Sequence, residues 1–401
     1  MARDLRIFYL FRLLATSYLW QPVFLAFMQS RGLDFAQAAT LGGLYSGILI
    51  LAEVPTGAFA DRIGRRASMM TGALAMVASS LVSYEAHSLG MFAIAETLAA
   101  ISMSLCSGAD SAYLYDFLDD RGHAHEYAHR ESVASAWHLV GFAIACAAGG
   151  YLAEVDLALP YLATGGVAFA AFLVSALLED DGPRLAPGTP QPLAIELRAW
   201  ARHMIEAVKD VLRSARLAWL VGYSALVFVL LTASNRYLYQ PYLREQHFSL
   251  HAIGLVYAGV NLIAAVVALD ASRLRRRLGD DALLWILLGT LGISLLLLSQ
   301  VAGPWAVLLI GLQAFGTGLY SPIVKPLLNR AITESSRRAT VLSVESIARR
   351  AAMTIFMPVV GIAGADSALT LCGALGVGGL VALAILRSPR PELRAGAPTI
   401  D

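Results

Sequence analysis

Charge is scarce in this chain. Lys, Arg, Asp and Glu make up 15% of its 401 residues, against about 25% in a soluble domain. Lysine is almost missing, with only Lys209 and Lys325. The net charge of +1 offers no basic surface for nucleic acid. Cysteine is limited to Cys106, Cys146 and Cys372, far apart in apolar runs, so neither a disulfide framework nor metal-ligand spacing is indicated. No G-x-x-x-x-G-K-[ST] phosphate loop occurs, which removes the nucleotide-driven classes. What is abundant is apolar: 57% hydrophobic residues and a mean hydropathy of +0.63. That composition cannot cover a soluble surface, and lipid is its natural solvent.

A bilayer core takes about 20 apolar residues per helix. Twelve such stretches are expected: 5–28, 37–59, 67–86, 90–115, 131–153, 159–178, 217–243, 251–270, 282–302, 304–328, 338–363 and 367–386. The first is too long for a signal-peptide core and lacks a small-residue cleavage site, so it is expected to be retained. The runs are continuous rather than alternating, which excludes a β-barrel. One joint is long: Glu179, Asp180 and Asp181 lead into Pro183, Pro187, Pro190 and Pro192. A helical pattern follows, with Leu193, Leu197, Trp200, Met204, Val208 and Val211 on one face and Arg198, Arg202, Glu206 and Lys209 between them. That pattern predicts a helix lying on the membrane surface. The expected organisation is therefore a six-helix bundle at 1–180, a linker at 181–216, a second six-helix bundle at 217–390 and a tail at 391–401.

Among the outer joints only Arg31 and Arg244 are basic, whereas Arg62, Arg65, Arg66 and Arg273, Arg275, Arg276, Arg277 fall in inner ones. The positive-inside rule then places both termini in the cytoplasm. The halves repeat: Tyr18-Leu19-Trp20-Gln21-Pro22 in span 1 is echoed by Tyr237-Leu238-Tyr239-Gln240-Pro241 in span 7. Matched halves mark secondary transporters, whose site lies between them near the midplane.

The segment Gly57-Ala58-Phe59-Ala60-Asp61-Arg62-Ile63-Gly64-Arg65-Arg66 reads G-x-x-x-D-R-x-G-R-R and joins spans 2 and 3. With this motif and its six-plus-six spans the chain resembles the major facilitator superfamily, in an exporter-like branch. The resemblance implies an all-α integral membrane protein of two pseudo-symmetric six-helix bundles. It also implies that Gly57, Asp61, Arg62, Gly64, Arg65 and Arg66 form a gate. Physically, Gly57 permits close helix approach, and Gly64 supplies the φ > 0 that a short joint needs. Asp61 at the start of span 11, near Arg338, would gain about 0.3–2 kcal/mol from the helix N-terminus, latching the inner side and favouring an outward-open state. Span 5 carries Gly141-x-x-x-Ala145-Cys146-x-x-Gly149-Gly150. It resembles the exchanger motif G-x-x-x-G-P-x-x-G-G with the central Gly-Pro replaced; small residues still allow tight packing.

A charge within a span costs about 2.5–3.5 kcal/mol on insertion scales, so each is a site candidate. Asp110 and Tyr113 share a face of span 4, Asp110 as proton carrier, substrate contact or salt-bridge partner. Glu96 lies in the outer third of that span. Glu53 is read either as a coupling carboxylate or as the partner of a span-11 arginine, and His138 as a proton shuttle or a packed, hydrogen-bonded imidazole. Asn235 and Arg236 precede the span-7 repeat. Lys325, between Pro322 and Pro326, is expected on an irregular helix, either lining a cavity or paired with a span-4 or span-11 carboxylate. Glu345 and Arg349 are spaced to pair within span 11. Tyr18, Trp20, Gln21, Trp137, Tyr237, Tyr239, Gln240, Asn261, Gln313 and Tyr320 complete the expected cavity, each ring also readable as simple packing.

His125-Glu126-Tyr127-Ala128-His129 matches H-E-x-x-H, two imidazoles and a general base on a helix. An intramembrane zinc protease is the rival reading, but the motif lies in the polar joint between spans 4 and 5 with no third ligand in a matching span. The expectation is a transporter, not an enzyme, with no cofactor and no metal. It would be a monomer in the cell inner membrane whose partners are a small-molecule substrate, protons and the lipid bilayer. Proton-coupled efflux of a drug-like compound or metabolite is favoured, with proton-coupled uptake of an anionic solute, a carboxylate or siderophore-like chelate, as the alternative.

Overall fold

A computed structural model of the protein describes residues 1–180, 182, 193–332 and 338–386. The Pro-rich part of the linker and the tail at 391–401 lie outside the described residues. Sixteen α-helices follow one another among the described residues: α1 Ala2–Leu14, α2 Phe24–Ser30, α3 Phe35–Ile63, α4 Arg65–Tyr84, α5 Leu89–Cys106, α6 Ala109–Asp119, α7 Tyr127–Val155, α8 Leu159–Ala176, α9 Leu193–Arg213, α10 Ala215–Ala233, α11 Tyr239–Glu245, α12 Leu250–Leu278, α13 Asp280–Leu298, α14 Ala306–Ala331, α15 Arg338–Ala363 and α16 Ala365–Ile385. No strand occurs among the described residues. Eleven helical segments among the described residues are long and apolar enough to cross a membrane.

The remaining crossing is the first, and it is broken. Where the sequence predicts one helix over 5–28, α1 stops at Leu14, a 3₁₀ turn covers Gln21–Val23, and α2 resumes. Pro22 has no N–H to give the helical ladder, which favours a break there. The broken segment still climbs α7. A Cβ on Gly141 would collide with the Leu13 carbonyl oxygen, and one on Gly149 with that of Leu19. The two glycines of the altered span-5 motif thus let the first crossing lie directly on α7. Span 7 repeats the interruption as a π-turn at Ser234–Leu238 between α10 and α11. Span 4 is divided at Gly108, φ +88.

The matched joints turn on glycine. Gly64 (φ +111) links α3 to α4, and Gly279 (φ +79) links α12 to α13. Both angles are ones that side chains rarely adopt. α14 is continuous through Pro322 and Pro326, a correction to the irregular backbone expected around Lys325. Packed neighbouring helices make such prolines tolerable. α9 packs against α10 and α15 and touches α3, bridging both bundles. It buries Ala207 and Val211 and leaves Ile205, Val208 and Leu212 exposed.

The bundles meet along α3/α15 and α7/α12. On the side away from the termini this seam is tight. A Cβ on Gly150 would lie 2.7 Å from the Leu250 carbonyl oxygen, one on Gly254 2.6 Å from that of Cys146, and one on Gly361 2.9 Å from the Ala36 Cα. Glu154 and His251 pair there at 3.2 Å. Nearer the terminus-bearing face, Gly57 is exposed, with no described atom of another helix within 4 Å of its Cβ position.

Candidate functional site

Arg236 sits in the π-turn of span 7, and its side chain lies in the seam. There it meets Glu96 of α5, Nη2 donating to the two carboxylate oxygens at 3.1 and 2.9 Å. The pair bridges the bundles and keeps only 13% and 8% side-chain exposure. Burying two charges costs several kcal/mol each unless they are paired and hydrogen-bonded. The guanidinium also lies against the rings of Phe24 (4.7 Å), Tyr45 (4.8 Å), Trp20 (5.4 Å) and Tyr237 (5.8 Å), each contributing cation–π attraction. Tyr18 and Tyr161 stack on Trp20 at 5.4 and 5.9 Å. Arg236 Nε and the Tyr161 and Tyr237 hydroxyls are buried without a hydrogen-bond partner among the described residues.

Above this pair the repeated glutamines cross the seam. Gln240 Oε1 accepts the backbone N–H groups of Leu25 (2.8 Å) and Ala26 (3.3 Å), capping α2 of the other bundle. Those first-turn N–H groups have no partner within α2, so a side-chain acceptor satisfies them. Gln21 Nε2 reciprocates by donating to Asn235 Oδ1 at 3.3 Å. The Asn235 carbonyl accepts the Tyr257 hydroxyl at 2.6 Å. Toward the terminus-bearing side, Arg350 of α15 pairs with Glu53 of α3 at 3.2 Å and donates to the Leu49 carbonyl at 3.3 Å.

Two further clusters stay within one bundle. Arg12 of α1 forms an ion pair with Asp110 of α6 and reaches Glu131 of α7 at 3.4 Å. His138 is hydrogen-bonded to Thr16. In the second bundle Glu345 pairs with Arg349 at 2.8 Å and also binds Ser224, while Tyr320 bonds the Ser224 hydroxyl at 2.7 Å.

The structure therefore gathers Tyr18, Trp20, Gln21, Asn235, Arg236, Tyr237 and Gln240 at the seam and leaves other candidates elsewhere. Tyr113 is buried inside the first bundle, stacked on Phe8 and Phe117 and donating to the Glu179 carbonyl. Asn261 bonds the Tyr257 carbonyl on its own helix at 2.8 Å, and Tyr239 donates to Gln313 at 2.5 Å. Trp137 is 43% exposed. Lys325 is exposed, and no ion pair of it occurs among the described residues. Asp61 pairs with Arg65 at 2.5 Å, and Arg65 approaches Asp116 at 3.9 Å, all in one bundle. The side chain of Arg338, at the helix start expected to receive Asp61, lies outside the described residues. Glu96 was a candidate by its charge alone, without an assigned partner, and Tyr45, Phe24 and Tyr161 were not among the candidates. Their signal was depth: Glu96 and Arg236 both fall in the outer part of their spans.

The H-E-x-x-H arrangement is not formed as a zinc protease needs it. His125 and Glu126 lie in a 3₁₀ turn and His129 in α7, so the imidazoles do not share one helix face. Glu126 is bonded to Arg130.

Comparison with known proteins agrees with this architecture. The family model of the Major Facilitator Superfamily matches residues 7–240. The chain is 22% identical over 337 residues to Uncharacterized MFS-type transporter YxaM of Bacillus subtilis (strain 168), covering 82% of this chain and 80% of that one. It is 24% identical over 305 residues to Multidrug resistance protein 2 of the same organism, covering 72% and 70%. Among solved structures, the nucleoside transporter NupG superposes with a TM-score of 0.79 at 11% identity, over 96% of this chain and 99% of that one. A POT family transporter gives 0.76 at 13% identity, with 96% of each chain covered. These likenesses show the fold.

Proposed function

Since this chain belongs to the Major Facilitator Superfamily, a multi-pass family of membrane transporters, we propose that it moves a small organic solute outward by proton-coupled alternating access. The observation that carries this reading is the buried Glu96–Arg236 pair at the seam of the two bundles. An ion pair there is stable only while Glu96 is ionised. A proton on Glu96 removes the charge that compensates Arg236 and weakens the hold of one bundle on the other. Proton binding is thereby tied to the rocking that exposes the site to each side in turn. Glu53, paired with Arg350 across the same seam, is the second coupling carboxylate. Asp110 and His138, held by Arg12 and Thr16 within one bundle, order the first bundle.

Export is favoured by the similarity to a multidrug resistance protein and by the aromatic rings around Arg236, which suit planar apolar compounds. The arginine-rich joints favour an orientation with both termini in the cytoplasm of a bacterial inner membrane. The tight seam then faces outward and the exposed Gly57 inward, the arrangement of a carrier awaiting cargo from within. Gly57, Asp61, Arg62, Gly64, Arg65 and Arg66 form the inner gate, which engages the start of α15 when that side closes. A second reading, uptake of an anionic solute, is supported by the buried Arg236, whose Nε has no hydrogen-bond partner among the described residues.

The test is flux of a labelled compound panel in proteoliposomes with and without an imposed pH gradient. Gradient-driven movement of at least one compound toward the acidic side supports export. Movement with the protons supports uptake of an anion, and solute flux indifferent to pH overturns proton coupling.

A further inference from the structure

We propose that the joint between α6 and α7 binds one divalent transition-metal ion of the zinc class through His123, His125 and Glu126. One donor atom from each of these residues lies within 4.8 Å of the other two. The local backbone explains the grouping. α6 ends at Asp119, Gly122 turns the chain with φ +73, and the 3₁₀ turn Ala124–Glu126 follows. The His123 and His125 rings are brought face to face, 5.9 Å apart and inclined by 30°.

The carboxylate is already aimed. Arg130 donates to Glu126 Oε2 twice, from Nε at 2.9 Å and Nη2 at 2.6 Å. Oε1 is left turned to the imidazoles, with His123 Nδ1 donating to it at 2.9 Å. An outer-shell partner that fixes a ligand in this way is what metal sites use. Zinc-class ions bind imidazole nitrogen and carboxylate oxygen at about 2.0–2.2 Å, with neighbouring donors ~3.3 Å apart in a tetrahedron. Small side-chain rotations close the remaining gap. The ion takes the place of the hydrogen bond between His123 and Glu126. His123 gives up its Nδ1 proton to solvent, and water fills the fourth position. Calcium and magnesium are poor occupants, since these hard ions prefer oxygen ligands to two imidazole nitrogens.

This site differs from the H-E-x-x-H consensus in a way that can be tested. His123 replaces His129, and Glu126 is a ligand rather than a base. The joint connects α6, which carries Asp110, to α7, which carries Glu131, and both acids face Arg12. The inference does not rest on the transport reading, and either can fail alone.

The experiment uses tag-free full-length protein in detergent, titrated with Zn²⁺ by calorimetry and with Co²⁺ by visible absorption. One equivalent is expected to bind. Affinity should fall at least tenfold in His123→Ala, His125→Ala and Glu126→Gln, and stay unchanged in His129→Ala. Melting of helical circular dichroism identifies any variant that fails to fold, and Glu126→Gln, nearly isosteric on the surface, keeps the test open in that event. No binding to the wild type, equal binding to a His123→Ala/His125→Ala double variant, or a loss in His129→Ala matching that in His125→Ala would overturn it.

Discussion

Gln240 accepts the backbone N–H of Leu25 at 2.8 Å across the seam between the two bundles. The acceptor belongs to the second copy of the repeat, and the helix it caps begins just after the first copy. A duplicated Gln-Pro dipeptide has thus become a clasp on the side away from the termini.

Replacing Gln240 with Ala leaves the first-turn N–H groups of α2 without an acceptor, a loss of about 1 kcal/mol for a helix cap. That loss falls only on the conformation closed at this side. With spin labels at the exposed Gln29 and Arg244, double electron–electron resonance should show Gln240→Ala raising the long-distance population about fivefold relative to the parent, a factor equivalent to the same energy.

The glycine contact predicts a stronger effect of the same sign. A methyl on Gly150 would lie 2.7 Å from the Leu250 carbonyl and 3.0 Å from the Gly254 Cα, and backbone cannot yield as a side chain can. Overpacking of this kind costs about 1–3 kcal/mol. Gly150→Ala should therefore open the labelled side more than Gln240→Ala does, while Gly166→Ala, whose Cβ position is free, should leave the distances unchanged.

The Arg12–Asp110 pair predicts a change in stability rather than in coupling. Asp110→Asn leaves Arg12 part-buried, with only the longer contact to Glu131. Removing one member of a buried pair costs about 3–5 kcal/mol. Thermal melting in detergent should fall by several degrees, with gradient-driven flux per folded molecule retained. A double variant, Arg12→Met with Asp110→Leu, should recover much of the lost melting temperature.

Much of the fold was legible in the sequence because lipid imposes length and continuity on every span. The runs at 37–59 and 338–363 reappear as α3 and α15 with little change at their ends. Gly64 was readable because a short joint between long helices demands a backbone angle that glycine supplies. The broken first crossing was less visible, because hydropathy ignores that Pro22 cannot donate to the ladder. Partner choice was hidden for a different reason. Glu96 and Arg236 lie 140 positions apart, and no local pattern says that Asp110 will take Arg12 while Glu96 takes Arg236. Those assignments depend on which helix faces meet across and within the bundles. His123 carries no motif signal of its own, since the 3₁₀ turn that brings it to Glu126 leaves no periodic pattern.

The measurement closest to the central claim compares wild type and Glu96→Gln in proteoliposomes, reading both solute exchange at equal pH and net movement under an imposed pH gradient. A glutamine keeps the shape of the side chain but cannot take up and release the proton. The account predicts that exchange survives while gradient-driven movement falls to the level of empty vesicles. Gradient-driven movement of Glu96→Gln equal to that of the wild type would contradict it.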